Sequence, residues 1–164
     1  MNITRPFRVA HTYTQNLRGS AAQVFPLLCP VREADWIEDW SPSLVITTSG
    51  AAEKDCVFVT GAGADTAIWV ITEHDPARGR IEFIRTTPGT AVTRISIAVA
   101  EAGADRCTAV VTYQHTALGG AGEEAVVAST PEHFLSFMRV WEDRLNHYLE
   151  TGRMLRDVVG PSAR

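Results

Sequence analysis

Hydrophobic residues alternate with polar or small ones in FRVAHTYTQN, residues 7–16. Phe7, Val9, His11 and Tyr13 occupy one phase of this alternation. A period of two places successive side chains on opposite faces of a strand, and one mainly apolar face indicates a half-buried strand. The pattern therefore predicts a first β-strand with these four side chains turned inward.

Two short helices are predicted after this strand. Ser20 is a plausible N-cap for AAQVFPLL, and Pro30 separates that helix from a second one over residues 31–40, which SPS at 41–43 ends. On a helix, Trp36 and Trp40 would share one face, with Glu33 near it. The two tryptophans are interpreted first as packing residues and otherwise as a wall at a cavity mouth. Glu33 would either cap the backbone or reach inward.

Six strand-like runs follow, separated by residues typical of turns. The runs are LVITTS, CVFVT, TAIWVITE, RIEFIRTT, TAVTRISIAVA and CTAVVTYQHTAL, and the separators are GAAEKD, GAGAD, HDPARG, PG and EAGADR. Short connectors rich in Gly, Pro and Asp favour hairpins over crossover helices. The pattern predicts an antiparallel meander.

A long amphipathic helix is predicted near the end of the chain. Thr130 can cap it, Pro131 suits its first turn and Gly152 can end it. The preceding GGAGEEAVVA is either a loop or a further short helix. One apolar stripe follows the helical period: Phe134, Phe137, Met138, Trp141, Leu145, Tyr148 and Leu149.

This order of elements resembles the START-like helix-grip superfamily, which includes polyketide cyclase/dehydrase-type proteins and pollen-allergen-type lipid binders. The closest similarity is to small bacterial members, in VFPLLCPVREADWIEDW, WVITEHDPARGRIEF, VTYQHTAL and HYLETG. The resemblance implies an α+β fold of the order β-α-α-β6-α. In it, a curved antiparallel sheet of about seven strands wraps around a long C-terminal helix, and a cavity between them takes hydrophobic or polycyclic ligands.

Composition favours one globular domain, because 45 % hydrophobic and 21 % charged residues in a chain of 164 are ordinary values. We expect this domain over residues 1–152, a partly disordered extension over 153–164, and a monomer or homodimer. The net charge of −4 gives no reason to expect nucleic acid as a partner. No run approaches the roughly 18 apolar residues of a membrane span, so cytoplasmic residence is expected. The three cysteines are scattered and are expected to be buried thiols.

The inward phases of the strands, the second short helix and the last helix supply the candidate ligand contacts. These candidates are Trp36, Trp40, Trp69, Phe83, Arg85, Ile95, Val111, Tyr113, Phe134, Met138 and Trp141. An inward guanidinium, from Arg85 or from Arg94, would select a carboxylate or phosphate. The histidine spacing matches no metal motif, and we expect no metal and no cofactor.

Four polar side chains are candidates for acid–base chemistry: His11, Tyr13, Tyr113 and His115. The helix-grip fold makes the first and last strands neighbours, so these side chains could form one cluster. Imidazole titrates near neutral pH, and a phenol can hydrogen-bond a substrate carbonyl. The alternative is that each lies at a strand end with its polar atom in water.

Three functions follow from these patterns. The first is a carrier or sensor for a small hydrophobic or polycyclic ligand. The second is an enzyme of the cyclase or dehydratase kind, a lyase or isomerase that needs no metal. The third is a partner-binding START-like domain. A closed apolar cavity would favour the first, an open cavity with converging polar side chains the second, and a filled core the third.

Overall fold

The computed structural model describes residue 1 and residues 3–156. Residues 157–164, which belong to the predicted extension, lie outside this range. The described residues form strands β1 (Arg8–Leu17), β2 (Leu44–Ile46), β3 (Val57–Thr60), β4 (Ala67–Asp75), β5 (Arg80–Thr87), β6 (Ala91–Gly103) and β7 (Arg106–Ala117). The helices are α1 (Ala21–Val24), α2 (Gly120–Ala128) and α3 (Pro131–Thr151), with short 3₁₀ turns at Phe25–Leu27, Arg32–Asp35 and Gly63–Asp65.

The seven strands form one curved antiparallel sheet in the order β1-β7-β6-β5-β4-β3-β2. Strands β2 to β7 are a meander, as the turn-rich separators predict, and β1 joins the far edge by pairing with β7. The long helix α3 packs against β1. The predicted α+β helix-grip architecture is confirmed. None of the helices in the described range has an apolar stretch long enough to cross a membrane.

The register of the sheet aligns side chains from successive strands in rows. One row contains Phe58, Trp69, Arg85, Thr93 and His115. The next row contains Ile71, Phe83, Ile95, Tyr113 and His11. Apart from Phe58, these positions belong to the phase that the alternation predicts to face inward. The strand begins at Arg8 rather than at residue 7, and Phe7 is 38 % exposed, so its predicted inward position is wrong.

The second short helix is much shorter than predicted, because only Arg32–Asp35 form a 3₁₀ turn. The helix cannot continue through Asp39, whose φ of 64° lies in the left-handed region. Both tryptophans are fixed by tertiary hydrogen bonds. The indole Nε1 of Trp36 donates to the carbonyl of Leu27 at 3.1 Å, and that of Trp40 donates to the carbonyl of Pro30 at 2.7 Å.

The other helix ends follow the predicted signals. Ser20 and Gln23 form a capping box at the start of α1. Thr130 caps α3 by accepting a hydrogen bond from the backbone N–H of His133 at 3.2 Å, and Gly152 ends α3 in the left-handed conformation, with φ of 66°. The three cysteines are free and buried, as predicted.

Polar contacts fix α3 against the first strand. The Glu142 carboxylate accepts hydrogen bonds from the Tyr13 hydroxyl at 2.7 Å and from the backbone N–H of Asn16 at 3.0 Å. One turn later, the Asn146 side chain accepts from the Arg18 N–H and donates to the Asn16 carbonyl. These bonds set the position of α3 over the sheet and therefore the width of the space between them.

Candidate ligand-binding site

A cavity of about 480 Å³ lies between α3 and the sheet. Side chains from β3 to β7, α2, α3 and the segment that follows α1 line it. The lining residues are Glu33, Trp40, Phe58, Thr60, Trp69, Phe83, Arg85, Ile95, Ile97, Tyr113, His115, Ala125, Ala128, Ser129, His133, Phe134, Phe137 and Trp141. Most of this surface is apolar, with a few polar groups, which is the usual composition of a small-molecule pocket.

Four aromatic rings form one wall of the cavity, and we call them the aromatic wall: Trp40, Phe58, Trp69 and Phe83. Phe58 and Trp69 are stacked with centroids 5.1 Å apart, and Phe83 stands perpendicular to both. The Trp69 Nε1 donates to the Thr60 hydroxyl at 2.9 Å. Because the indole N–H groups of both tryptophans have partners, the aromatic wall presents apolar surface, and its rings are held in place by one another.

Glu33 places a buried carboxyl group in the cavity lining. Its side chain comes from the 3₁₀ turn, and the residue is only 6 % exposed. The backbone of Glu33 is fixed by hydrogen bonds to Cys29 and from Ile37, both 2.8 Å long. The carboxyl group has no hydrogen bond or ion pair with any residue that the structure describes. Burial without a basic partner raises the pKa of Glu33 from 4.5 to about 8, so the group is mostly protonated at neutral pH.

Tyr113 brings a hydroxyl group close to this carboxyl. Burial raises the pKa of the Tyr113 phenol, the negative charge of Glu33 raises it further, and Arg85 lowers it. Glu33 and Arg85 therefore each lie within electrostatic reach of the Tyr113 hydroxyl. The phenol keeps its proton and is available as a hydrogen-bond donor to a ligand.

His115 lies beside Tyr113 on β7, with ring centroids 5.9 Å apart. Its Nδ1 is 2.8 Å from the Thr93 hydroxyl. Burial lowers the pKa of His115, and the positive charges of His11 and Arg85 lower it further. The neutral imidazole is therefore favoured, and it can accept or donate one proton at the cavity surface.

The predicted histidine–tyrosine cluster is divided by the fold. Tyr113 and His115 line the cavity, whereas His11 and Tyr13 do not. The Nε2 of His11 donates to the carbonyl of Ser129 at 2.6 Å, and Tyr13 is bonded to Glu142. Both residues lie on the edge strand β1, where Tyr13 bonds to α3 and His11 bonds to the short link between α2 and α3.

Eight of the predicted ligand contacts line the cavity: Trp40, Trp69, Phe83, Arg85, Ile95, Tyr113, Phe134 and Trp141. Trp36, Val111 and Met138 lie in the core behind its surface, each at most 2 % exposed. Trp36 contacts Trp141 edge to face at 5.2 Å and so supports a lining residue from behind. Arg94, which was considered as a second inward arginine, faces the other side of the sheet, and 58 % of its side chain is exposed.

Some lining residues were missed by the sequence reasoning. Phe58 and Thr60 share one phase of CVFVT, so the alternation of β3 could have identified them. Ala125, Ala128 and Ser129 line the cavity because α2 packs on β6 and β7, which no periodic signal indicates. No group of three His, Cys, Asp or Glu side chains within the described range is placed to bind one metal ion.

No protein-family model matches the chain, and no curated protein matches it. Among solved structures, a point mutant of norcoclaurine synthase from Thalictrum flavum, in complex with a transition-state analogue, is similar with a TM-score of 0.65 and 10 % identity. That match covers 92 % of this chain and 99 % of the synthase chain. An uncharacterised protein from Rhizobium leguminosarum matches with a TM-score of 0.63 and 16 % identity, over 91 % of this chain and 99 % of that one.

DynU16, a protein of the dynemicin biosynthetic locus, matches with a TM-score of 0.57 and 20 % identity. The match covers 88 % of this chain and 48 % of DynU16, so this chain spans about half the length of that protein. At such identities these likenesses concern the fold. Together with the sheet order and the position of α3, they show that the chain has a helix-grip fold.

Proposed function

We propose that the protein binds a small, mainly apolar ligand with one or more aromatic rings, as a carrier or sensor. The observation that carries this proposal is the aromatic wall, which borders about 480 Å³ of space between α3 and the sheet. This volume lies in the range of small-molecule pockets. A flat ring system inserted beside the stacked Phe58 and Trp69 would gain further aromatic contacts and bury apolar surface.

A structural neighbour supports aromatic molecules as the first class to test. Norcoclaurine synthase from Thalictrum flavum has been solved in complex with dopamine and hydroxybenzaldehyde, and it matches this chain with a TM-score of 0.61 at 9 % identity over 89 % of each chain. The shared fold makes such small ring compounds reasonable probes for this cavity. A filled core would have favoured the partner-binding alternative, and the presence of the cavity removes that support.

The experiment compares two tryptophan substitutions on α2. Ala128 lines the cavity, whereas its neighbour Val127 is exposed and does not. Aromatic compounds of increasing ring number are titrated into the wild type, Ala128→Trp and Val127→Trp, and binding is followed by calorimetry and native mass spectrometry. We expect Ala128→Trp to weaken binding about tenfold or more because the new indole occupies ligand space, and Val127→Trp to bind as the wild type does. Equal binding by all three proteins, or none by the wild type, would refute the proposal.

A second candidate is an enzyme of the dehydratase or cyclase kind. The favouring observation is that the Glu33 carboxyl and the Tyr113 hydroxyl both lack a protein partner in the described part of the chain. In a dehydration, protonated Glu33 would give its proton to a departing hydroxyl, which leaves as water. Neutral His115 would take the proton from the adjacent carbon as the double bond forms, and the Tyr113 hydroxyl would hydrogen-bond a substrate carbonyl.

The two candidates are separated by following what happens to a bound ligand. Hydroxy-ketones that bind are incubated with the wild type, Glu33→Gln, Tyr113→Phe and His115→Ala, and loss of one water is measured by mass spectrometry. If the protein is an enzyme, the wild type should turn over a bound hydroxy-ketone, and Glu33→Gln should abolish turnover while ligand binding is kept and the melting temperature does not fall. If every bound compound is recovered unchanged, the enzyme hypothesis is contradicted and the carrier hypothesis remains.

A further inference from the structure

Arg85 carries a permanent positive charge into the wall of the cavity. It lies on β5 directly opposite Trp69 of β4 and Thr93 of β6, in the row of side chains that faces α3. The Cζ of its guanidinium is 5.3 Å from the centre of the Trp69 ring. This contact holds the guanidinium beside the aromatic wall rather than letting it extend into solvent.

The guanidinium has no acidic partner among residues 3–156. The ion pairs found there involve other cations, and the Nε of Arg85 is buried without any hydrogen-bond partner in the same range. Arg94, on the neighbouring strand, behaves differently. It faces the opposite side of the sheet with its side chain 58 % exposed, and its Nε lies 4.0 Å from the Glu82 carboxylate. A charge that is partly withdrawn from water and left unpaired is unfavourable until something supplies the opposite charge.

Glu33, the one acidic residue in the described lining, does not supply that charge. No ion pair joins it to Arg85 in the described structure, and burial alone determines its titration, with no basic group acting against it. Its carboxyl is mostly protonated at neutral pH and serves as a hydrogen-bond donor, as does the Tyr113 hydroxyl. The cavity therefore combines an aromatic wall, one unpaired cation and neutral donor groups.

We propose that the ligand is an aromatic carboxylic acid, whose ionised carboxylate pairs with Arg85 while its rings lie against the aromatic wall. This inference rests on the proposed function, because it names the class of ligand that the same cavity takes. The planar guanidinium matches a carboxylate through paired N–H donors, and its Cζ lies over the Trp69 ring, so a ligand beside the aromatic wall comes close to the charge. Protonated Glu33 and Tyr113 do not repel the carboxylate and can donate further hydrogen bonds to oxygen atoms of the ligand.

The test uses matched pairs of probes that differ only in charge. Benzoate, 2-naphthoate and anthracene-2-carboxylate are each compared with the corresponding carboxamide by calorimetry at pH 7, so that ring size and acidity vary independently. The proteins are the wild type, Arg85→Met and the control Arg94→Met, which removes a neighbouring arginine from the other face of the sheet. Arg85→Gln replaces the methionine variant if the latter does not fold.

We expect the wild type to bind the acid of the best-fitting pair about tenfold or more tightly than its amide, because a hydrogen bond to a charged group is worth that factor. Arg85→Met should lose this preference and bind the amide as the wild type does, and Arg94→Met should keep the preference. Equal binding of acid and amide by the wild type, or a preference that survives in Arg85→Met, overturns the inference while the proposed function stands. If no pair binds at all, the proposed function fails, and the inference fails with it.

Discussion

Replacing Glu33 by glutamine should change how stability depends on pH. The carboxyl titrates at about 8 in the folded protein and at about 4.5 in the unfolded chain. Below pH 4.5 both states hold the proton and the burial of this group carries no ionisation cost. Between pH 4.5 and 8 the unfolded chain releases the proton while the folded protein keeps it, so the free energy of unfolding falls as the pH rises. Above pH 8 both states are ionised and the loss is complete.

The size of this effect follows from the two pKa values. Each pH unit between them corresponds to about 1.4 kcal/mol, so the whole interval amounts to about 5 kcal/mol and roughly 3 kcal/mol has accumulated by pH 7. Because Glu33 is almost fully buried, little solvent screening reduces this value. The glutamine amide lacks a partner as the protonated carboxyl does, but it buries one more N–H donor, which offsets about 1–3 kcal/mol of the gain at every pH. The dependence on pH is therefore a cleaner readout than the stability at any single pH.

Urea unfolding at pH 5, 6, 7 and 8 measures this dependence for the wild type and Glu33→Gln. All other ionisable groups are common to the two proteins, so subtracting one curve from the other isolates Glu33. We expect the stability of the variant relative to the wild type to increase by about 1 kcal/mol or more per pH unit between pH 5 and 7. Glu124→Gln, which neutralises an exposed carboxylate on α2, is the control and should show no such slope. A difference between Glu33→Gln and the wild type that stays constant across this range would refute a buried, unpaired carboxyl.

Three further predictions concern two packing contacts and one helix cap, and each is measured by urea unfolding. Gly122→Ala should lower the free energy of unfolding by about 1–3 kcal/mol and displace α2 from the cavity wall, because an added Cβ would lie 1.9 Å from the Thr90 carbonyl oxygen. Unchanged stability and unchanged ligand binding would contradict this close approach. Met138→Ala should lower the free energy of unfolding by about 2–5 kcal/mol, because the fully buried Met138 side chain packs α3 into the core. A loss below about 1 kcal/mol would mean that neighbouring side chains fill the space left by the methionine. Ser20→Ala should cost about 0.5–2 kcal/mol by removing the capping box with Gln23, and an equal loss in Gln23→Ala would show that both halves of the box matter.

The β-strands were predictable because the local sequence pattern and the observed burial agree in them. In β5, Ile81, Phe83 and Arg85 share one phase, and the turn residues around the strand restrict how it can pair. The last helix was predictable for a similar reason, since Thr130 and Gly152 mark its ends and an apolar stripe lies between them. In both elements the local signals and the tertiary contacts favour the same structure.

The segment around Glu33 was less predictable because tertiary contacts override its helical spacing. Hydrogen bonds from the indoles of Trp36 and Trp40 to distant carbonyls, together with the left-handed conformation of Asp39, replace the helix that the spacing predicts. The local sequence also does not indicate that His115 lines the cavity while His11 does not. Both residues have the inward phase, but only the placement of the link between α2 and α3 beside β1 determines that His11 bonds to Ser129 instead of lining the cavity.

Glu33 and Arg85 give the cavity a property that a core selected only for stability would not need. Each is a polar group withdrawn from water without a protein partner among the described residues, and an ion pair between them would have satisfied both. They remain unpaired although both act electrostatically on Tyr113. Groups of this kind reduce stability, and proteins retain them chiefly at functional sites. The aromatic wall accounts for affinity toward ring compounds in general, whereas these two groups would determine which of those compounds the cavity selects.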